Sequence, residues 1–416
     1  MNKSSYLFQK PATWWWAFCF LLTLTGCKTD YAVKPYAKSV KTEYTLYNAD
    51  AHRYPVLPAD VTPVYEVVII RHGARYLDGQ GSYSAMKALL DEANEQGTLT
   101  PKGIAFRNWY DQFYPLVKGH EGQLTNKGRQ QHRDVAASVY QWVPALFGDS
   151  MRVRTSTSQR VIDSQEAFVG QLAKLNPNLR FSVDTTETLR VHNVWTLPDP
   201  CSGQYFQYLN NRIDQDAVIS QWFAQPELTA KYFGDKYNFI RVLRNLIVDL
   251  NNLDFEVPAG HETIMTRQNF EAVHDIQSTF TQLLLGRSEI SGDYGLRWYQ
   301  EALLDIIQNA EQDITNNDIH AGLYFTHDIL IDNFLALMQA GPFGKSITPM
   351  EKIASKYPLS AVPMACNIQL LICKDRQSDE LIVYPLLNGR PIALNRIRAV
   401  RKYAYKLSDL KNNILQ

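Results

Sequence analysis

Val67-Val68-Ile69-Ile70-Arg71-His72-Gly73-Ala74-Arg75 decides how this chain is read. Four β-formers run straight into a histidine flanked by two arginines, with a glycine in the turn. A short apolar run of this kind reads as a strand buried on both faces, as in a parallel sheet. In open α/β sheets, ligands sit outside the carboxyl ends of the strands. This strand would therefore deliver an imidazole and two guanidiniums to one mouth. Guanidinium forks bind phosphate by paired, charge-assisted hydrogen bonds. A histidine between them suggests phosphoryl transfer to imidazole. The bland alternative is a strand-capping histidine with solvated arginines.

Working outward, strands alternate with helices. Residues 82–96 and 102–114 read as helices, and Leu124-Thr125-Asn126-Lys127-Gly128 opens a longer one reaching about Leu146. Met151 to Thr155 is a second strand, followed by a helix from about Ser158 to Leu175. Alternation at this length predicts a parallel sheet with crossover helices. Beyond Cys201 the pattern changes. Ile240, Leu243, Ile247 and Leu250 recur at helical spacing, as do Phe270, Val273, Ile276, Phe280 and Leu283. Leu303, Leu304, Ile306 and Ile307 mark another helix. A strand returns at Gly322-Leu323-Tyr324-Phe325-Thr326, with a helix after it to Met338. Met364–Cys373 and Leu381–Leu387 read as a hairpin or adjacent strands, with a turn signal at Asn388-Gly389 and a terminal helix over Val400–Gln416. The expected fold class is α/β: a central, mostly parallel sheet flanked by helices. Its phosphate-site domain comprises residues 59–200 and 317–416, with an all-helical subdomain, 201–316, inserted.

The amino-terminal stretch reads as a targeting segment rather than fold. Lys3 and Lys10 precede an apolar run from Ala12 to Thr25 that is too short to span a bilayer comfortably. It ends in Leu24-Thr25-Gly26-Cys27, which resembles a bacterial lipobox. The expectation is a lipoprotein signal peptide over 1–27, lipidation of Cys27, export, and anchoring to a membrane through the lipid, on the periplasmic face or the cell surface. Residues 28–58 are polar and tyrosine-rich, and read as a tether.

Charge is balanced at 42 basic against 42 acidic residues. No bulk positive field exists to hold nucleic acid, so an anionic small molecule must be drawn by a local pocket. Cys201, Cys366 and Cys373 remain after the signal, an odd number. Cys366 and Cys373 would sit on opposite faces of one strand roughly 23 Å apart along it, and cannot pair with each other. One pairs with Cys201, or all three are free. There is no CxxC, no HExxH and no histidine cluster at ligand spacing, so neither a metal site nor a cofactor is expected. Gly344-Lys345-Ser346 imitates the end of a phosphate loop, but Gln339 stands where the first glycine is required and a helix precedes it.

Two further segments converge on the chemistry of His72. His327-Asp328 ends the later strand, and shares the mouth if both strands belong to one parallel sheet. Arg154-Thr155-Ser156-Thr157-Ser158-Gln159-Arg160 passes from strand to helix through residues suited to N-capping, with Arg160 in the first helical turn. Helix N-termini favour anions. A cation placed there calls for a bound anion, and phosphate fits.

This constellation resembles the histidine acid phosphatases, a family of the histidine phosphatase superfamily that includes bacterial phytases. Arg71, His72 and Arg75 match its first motif, and His327 and Asp328 its second. Arg160, six residues before Glu166-Ala167-Phe168, matches its third phosphate-binding arginine. Leu124-Thr125-x-x-Gly128 is similar to a family segment that is usually structural. The chain is most similar to the multiple inositol polyphosphate phosphatases, on Arg71 to Tyr76, on Arg154-Thr155-Ser156 followed by Arg160, and on Val362-Pro363-Met364-Ala365-Cys366-Asn367. Leu77 stands where the first motif usually has proline. His327-Asp328-Ile329 stands where that subgroup typically carries His-Ala-Glu, and matches the acid phosphatase and phytase pattern.

The resemblance implies a phosphomonoester hydrolase acting on a phosphorylated small molecule. His72 would attack phosphorus and form a phosphohistidine. Arg71, Arg75, Arg160 and His327 would donate to the equatorial oxygens. Asp328 would protonate the leaving oxygen and then take a proton from water, which predicts an acidic optimum. The neighbouring cations would keep His72 neutral for attack. Inositol polyphosphates such as phytate are the implied substrates, with a broad or sugar-phosphate acid phosphatase as the alternative. A non-catalytic, ligand-binding lipoprotein on the same scaffold is the alternative from another class. It is disfavoured because a pure binder needs neither His72 nor Asp328.

Overall fold

The computed structural model describes residues 52–79, 82–191, 195–261, 264–347, 349–357 and 359–416. The expected signal peptide, Cys27 and most of the expected tether lie outside them. The tether's end, residues 52–58, packs on the domain. Tyr54 stacks on Trp142 with ring centroids 4.4 Å apart, and His52 Nδ1 lies 2.6 Å from Ser138 Oγ.

The chain begins with β1 (Val61–Arg71), followed by α1 (Ser82–Glu95), α2 (Pro101–Val117) and α3 (Asn126–Trp142). Then come β2 (Ser150–Ser156), α4 (Gln159–Leu175) and β3 (Arg180–Thr186). Helices alone follow among the named elements up to residue 316: α5 (Cys201–Arg212), α6 (Gln215–Ile219), α7 (Leu228–Phe233), α8 (Lys236–Asp249), α9 (Arg267–Leu285) and α10 (Gln300–Asn316). β4 (Ile319–Thr326), α11 (Asp328–Leu337), α12 (Ile353–Lys356), β5 (Asn367–Asp375), β6 (Leu381–Leu387), β7 (Arg390–Pro391), β8 (Tyr405–Lys406) and α13 (Leu407–Leu415) complete it.

The strands form one mixed sheet in the order β3-β2-β4-β1-β5-β6-β7, with β8 beside β6. The four strands β3, β2, β4 and β1 run parallel, and β5 to β8 add antiparallel. Both faces are covered, as the continuous apolar strands require. Val68 and Ile70 face a core with Val135, Val139, Phe168 and Leu172 of α3 and α4. Tyr65, Val67 and Ile69 face the other core, which runs without a break into Phe239, Leu243, Phe270 and Leu303. The helical block therefore shares the sheet's core. Among the described residues, no helix is long and apolar enough to cross a membrane.

Several expectations need correction. The terminal helix starts at Leu407, because Tyr405 and Lys406 first pair with β6. β3 carries no apolar alternation; it is an edge strand, mostly exposed, held by its register with β2. Ala365 adopts φ +61°, and Cys366 precedes β5 rather than starting it. The three cysteines are free and buried, with Cys366 and Cys373 in cores on opposite faces of the sheet.

One residue of β1 breaks the apolar pattern. Glu66 is fully buried, and neither carboxyl oxygen has a hydrogen-bond partner. Burial holds its pKa well above the ordinary carboxylate range. The folded protein thus keeps Glu66 protonated where the unfolded chain ionises it. The stability it allows is full below the unfolded carboxylate range and is lost as pH rises. Glu66→Met, of similar length and apolar, is expected to stabilise the protein by about 1–3 kcal/mol at neutral pH. The gain should shrink at pH below the carboxylate range. Thermal melts at both pH values check this, and a pH-independent difference would refute it.

Candidate active site

The site arises from one pairing. β1 and β4 are parallel neighbours with Arg71 opposite Thr326, so the chain leaves both strands at the same edge. His72 N donates to Thr326 O at 3.0 Å, and the two imidazoles of His72 and His327 meet edge-on with centroids 5.5 Å apart. β2, on the other flank of β4, ends beside them and sets Ser156 Oγ 3.3 Å from His327 Nε2. Arg160 enters from the first turn of α4. Ser158 occupies the N-cap position there but makes no side-chain capping bond, contrary to the capping expectation. Arg154 is turned elsewhere, with Nη1 2.5 Å from Asp305 Oδ2.

The loop after β1 is clamped from three sides. Gly73 N donates to Ser164 Oγ at 3.1 Å, and Ser164 Oγ donates onward to Arg160 O at 2.7 Å. Ala74 N donates to Gln131 Oε1 at 2.8 Å. Ala74 O accepts from both the amide and the hydroxyl of Thr125, each at 2.9 Å. The same hydroxyl accepts from Gly128 N and caps α3. The two glycines touch: a Cβ on Gly73 would fall 2.5 Å from Gly128 O, and one on Gly128 would fall 2.2 Å from Ala74 O. This explains the Leu124-Thr125-x-x-Gly128 segment as the seat of the histidine loop. Residues 362–366 form the opposite wall. Val362 O accepts from Arg71 Nη1 at 2.7 Å, Cys366 O accepts from Arg71 N at 2.9 Å, and Ala365 N donates to His72 O at 2.9 Å.

Leu77 is accommodated rather than inert. A proline has no amide hydrogen to place, whereas Leu77 N donates to the buried Tyr83 hydroxyl at 2.9 Å.

Electrostatics set the state of the histidines. His72 Nδ1 lies 3.0 Å from Gly73 O. A carbonyl only accepts, so Nδ1 carries the proton and Nε2 keeps its lone pair. Burial, then Arg160 and Arg71, then His327 and Arg75, hold the pKa of His72 well below the ordinary histidine range. Burial and Arg160 likewise bring His327 down to about 3, against the opposing pull of Asp328 and Asp78. Both rings are neutral at ordinary pH.

Each arginine has an aspartate. Arg71 Nη2 lies 2.8 Å from Asp328 Oδ2, Arg75 Nη1 lies 3.5 Å from Asp249 Oδ2, and Arg160 Nη2 lies 3.1 Å from Asp78 Oδ2. Arg160 Nε is buried without a hydrogen-bond partner, which leaves it donor capacity. Burial pushes the Asp249 carboxyl up to about 7, with Arg75 and a bond from Asn252 only partly opposing. Below that pH Asp249 is neutral and Arg75 presents its full charge.

The sequence-expected residues Arg71, His72, Arg75, Arg160, His327 and Asp328 are therefore brought together at one edge of the sheet. Asp78, Asp249, Gln131 and Ser164 were not foreseen. For Asp249 a signal existed: Asn245 and Asp249 stand at i and i+4 in the apolar half of α8, with Asn252 three residues on, in the turn that follows. Asp78 lies on a loop with no periodicity to read.

Residues 65–194 match the family model described as the histidine phosphatase superfamily (branch 2). That span holds the first motif, the 124–128 seat and Arg160; His327 and Asp328 lie beyond it. Human multiple inositol polyphosphate phosphatase 1 is 29% identical over 133 residues, which cover 27% of this chain and 25% of the human protein. The match thus spans a quarter of that protein's length. Among solved structures, the Bifidobacterium longum multiple inositol polyphosphate phosphatase in complex with phosphate aligns with a TM-score of 0.68 at 17% identity, over 91% of this chain and 97% of its own. The phytase from D. castellii aligns with a TM-score of 0.62 at 16% identity, over 91% of this chain and 84% of its own. At these identities the likeness is one of fold, and it takes in both the sheet and the helical block. The family match is centred on the histidine loop and its seat, and over that span the chain is similar to the histidine phosphatase superfamily, branch 2.

Proposed function

We propose that this protein is a phosphomonoester hydrolase that works through a covalent phosphohistidine on His72, with inositol polyphosphates as substrates. The observation that carries the reading is the imidazole itself: buried, neutral, with its Nδ1 proton committed to Gly73 O, its Nε2 lone pair retained, and three guanidiniums near enough to oppose its protonation. Nε2 forms a bond to phosphorus as the bond from phosphorus to the substrate oxygen breaks. Arg71, Arg75, Arg160 and His327 take the charge on the transferring group. Arg71 is drawn from Asp328 to the phosphate; Asp328, freed of that partner, takes a proton from solvent and passes it to the departing alkoxide. Asp328 then accepts a proton from the water that attacks the phosphohistidine, and phosphate leaves.

The substrate class is supported by the relatives named above. A further structure of the Bifidobacterium longum protein is a complex with inositol hexasulfate, a TM-score of 0.67 from this chain at 17% identity. His327-Asp328, rather than His-Ala-Glu, favours a sugar-phosphate or broad acid phosphatase as the second reading.

Phosphate release from inositol hexakisphosphate and from a sugar monophosphate, each with chelator present, tests the reading. Wild type is expected to prefer the inositol substrate and to ignore the chelator. His72→Ala should lose about a thousandfold or more. Retained activity in that variant sinks the phosphohistidine, and a strong preference for the sugar monophosphate sinks the inositol assignment.

The pH profile carries a second expectation. His72 stays neutral well into the acid range, so kcat/KM should not fall on its account between about pH 7 and about pH 5. As pH rises through about 7, Asp249 ionises and offsets Arg75. A fall in kcat/KM is expected there, and Asp249→Asn should move it to higher pH. An alkaline limb unmoved by that substitution would refute the contribution of Asp249.

Leu24-Thr25-Gly26-Cys27 supports export and anchoring through lipid on Cys27. Incorporation of labelled palmitate, absent in Cys27→Ser, is the expected outcome; equal labelling of the variant rules it out.

A further inference from the structure

The three aspartates of the site are not equivalent. Asp249 is buried at 1% side-chain exposure, and cannot leave Arg75 without moving α8. Asp328 is the first residue of α11, with Ile329 N donating to its Oδ1 at 3.0 Å. Asp78 is 46% exposed and lies on the loop three residues after Arg75. Its Oδ2 takes Arg160 Nη2 at 3.1 Å, and its Oδ1 takes Gly79 N at 3.0 Å. Gly122 makes room for the pair. A Cβ there would lie 3.2 Å from Asp78 Oδ1 and 3.7 Å from Arg160 Nη1.

Nucleophilic attack and proton transfer leave Asp78 without a part. A carboxylate beside a phosphate site opposes the ligand it faces, so its presence on a catalytic arginine calls for a reason. We propose that Asp78 is an anion gate: it occupies Arg160 as a stand-in for phosphate, and a substrate phosphate must displace it. This rests on the reading of the site as a phosphate site. Exposure is what suits Asp78 to the task, since it can swing into water without a desolvation cost that Asp249 would incur.

The gate is coupled to protons. The groups around Asp78 are Arg75 on its own loop, Arg160 on α4, His327 at the end of β4, and Asp249 on α8. The partial loss of water on the side facing Arg160 would by itself raise its carboxyl; Arg75 and Arg160, with the Gly79 amide, more than offset this and hold it below the ordinary aspartate range. Displacement by phosphate removes Arg160 and adds a neighbouring anion, and both favour protonation. Displacement therefore favours a proton on Asp78, and the gate opens more readily as pH falls.

Calorimetric titration of inorganic phosphate into wild type, Asp78→Asn and Asp78→Ala tests this, using two buffers of different protonation enthalpy. Melting curves establish that each variant is folded. Both variants are expected to bind phosphate about tenfold tighter than wild type near neutral pH. The proton uptake of wild type at mildly acid pH should shrink in both. Equal or weaker binding by a folded Asp78→Asn overturns the gate, and makes Asp78 a positioner of Arg160. Failure of the wild type and both variants to bind phosphate overturns the phosphate-site reading itself, and the gate with it.

Discussion

Three guanidiniums gathered around one buried, neutral imidazole form the constraint on which the rest of this structure depends. Two unit charges about 4 Å apart interact by about 4 kcal/mol at an effective dielectric near 20. A cluster of this kind is therefore not stable as bare cations. The protein supplies one carboxylate to each: Asp328 to Arg71, Asp249 to Arg75 and Asp78 to Arg160. Full neutralisation would also abolish the attraction for an anion. The resolution is graded. Asp249 sits so deep that its carboxyl is pushed up to about 7, and it neutralises itself in mild acid. Asp328 and Asp78 are partly exposed and can exchange their arginines for a ligand.

Holding that cluster still falls to the backbone. His72 is bound through its amide to β4 and through its carbonyl to Ala365, while Arg71 is bound through its amide to Cys366 and through its side chain to Val362. Ala365 accepts a φ of +61° to make this contact, a conformation uncommon for a residue with a Cβ. Strain of this sort persists only where the surroundings over-determine it. Here they do: β5 comes directly after, paired with β1 up to Ile70 opposite Asn367. On the other side the contact of Gly73 with Gly128 brings the start of α3 against the loop, closer than any side chain would permit.

Much of this was legible in the chain, and the reason is geometric. A strand buried on both faces has to be apolar, so Val67–Ile70 and Leu323–Phe325 stand out, and the residues just after such strands lie at a sheet edge. His72 and His327 were found by that rule, and Arg160 by its place in the first turn of a helix, where a cation calls for an anion. β3 was not, because an exposed edge strand has no face to write into its sequence. Asp78 and Asp249 were missed for a related reason: a counter-charge is defined by the group it faces, and its partner is distant in the chain. Arg75 and Asp249 are separated by the whole sheet-forming first half, and only the shared core brings them together. The 362–366 wall was noticed as a motif, yet its function is carried by main-chain atoms, which side-chain identity does not report.

A division of labour between elements results. The cations and the two histidines come from the ends of β1 and β4 and the start of α4, whose positions the sheet register fixes within narrow limits. The counter-charges come from a loop, from a helix start and from α8 of the helical block. The block also reaches the seat of the histidine loop, where Asp254 accepts from Asn126 N at 2.7 Å and from Lys127 N at 3.0 Å at the start of α3. A helical block that shares the sheet's core, supplies Asp249 and secures α3 is a part of the site, and not an appendage beside it. Changing a counter-charge then alters the affinity for an anion, and its dependence on pH, without moving the imidazole. Changing the sheet register moves everything. Anion preference in this fold can therefore vary through the loop and the helical block while the histidines and their arginines stay fixed at the strand ends.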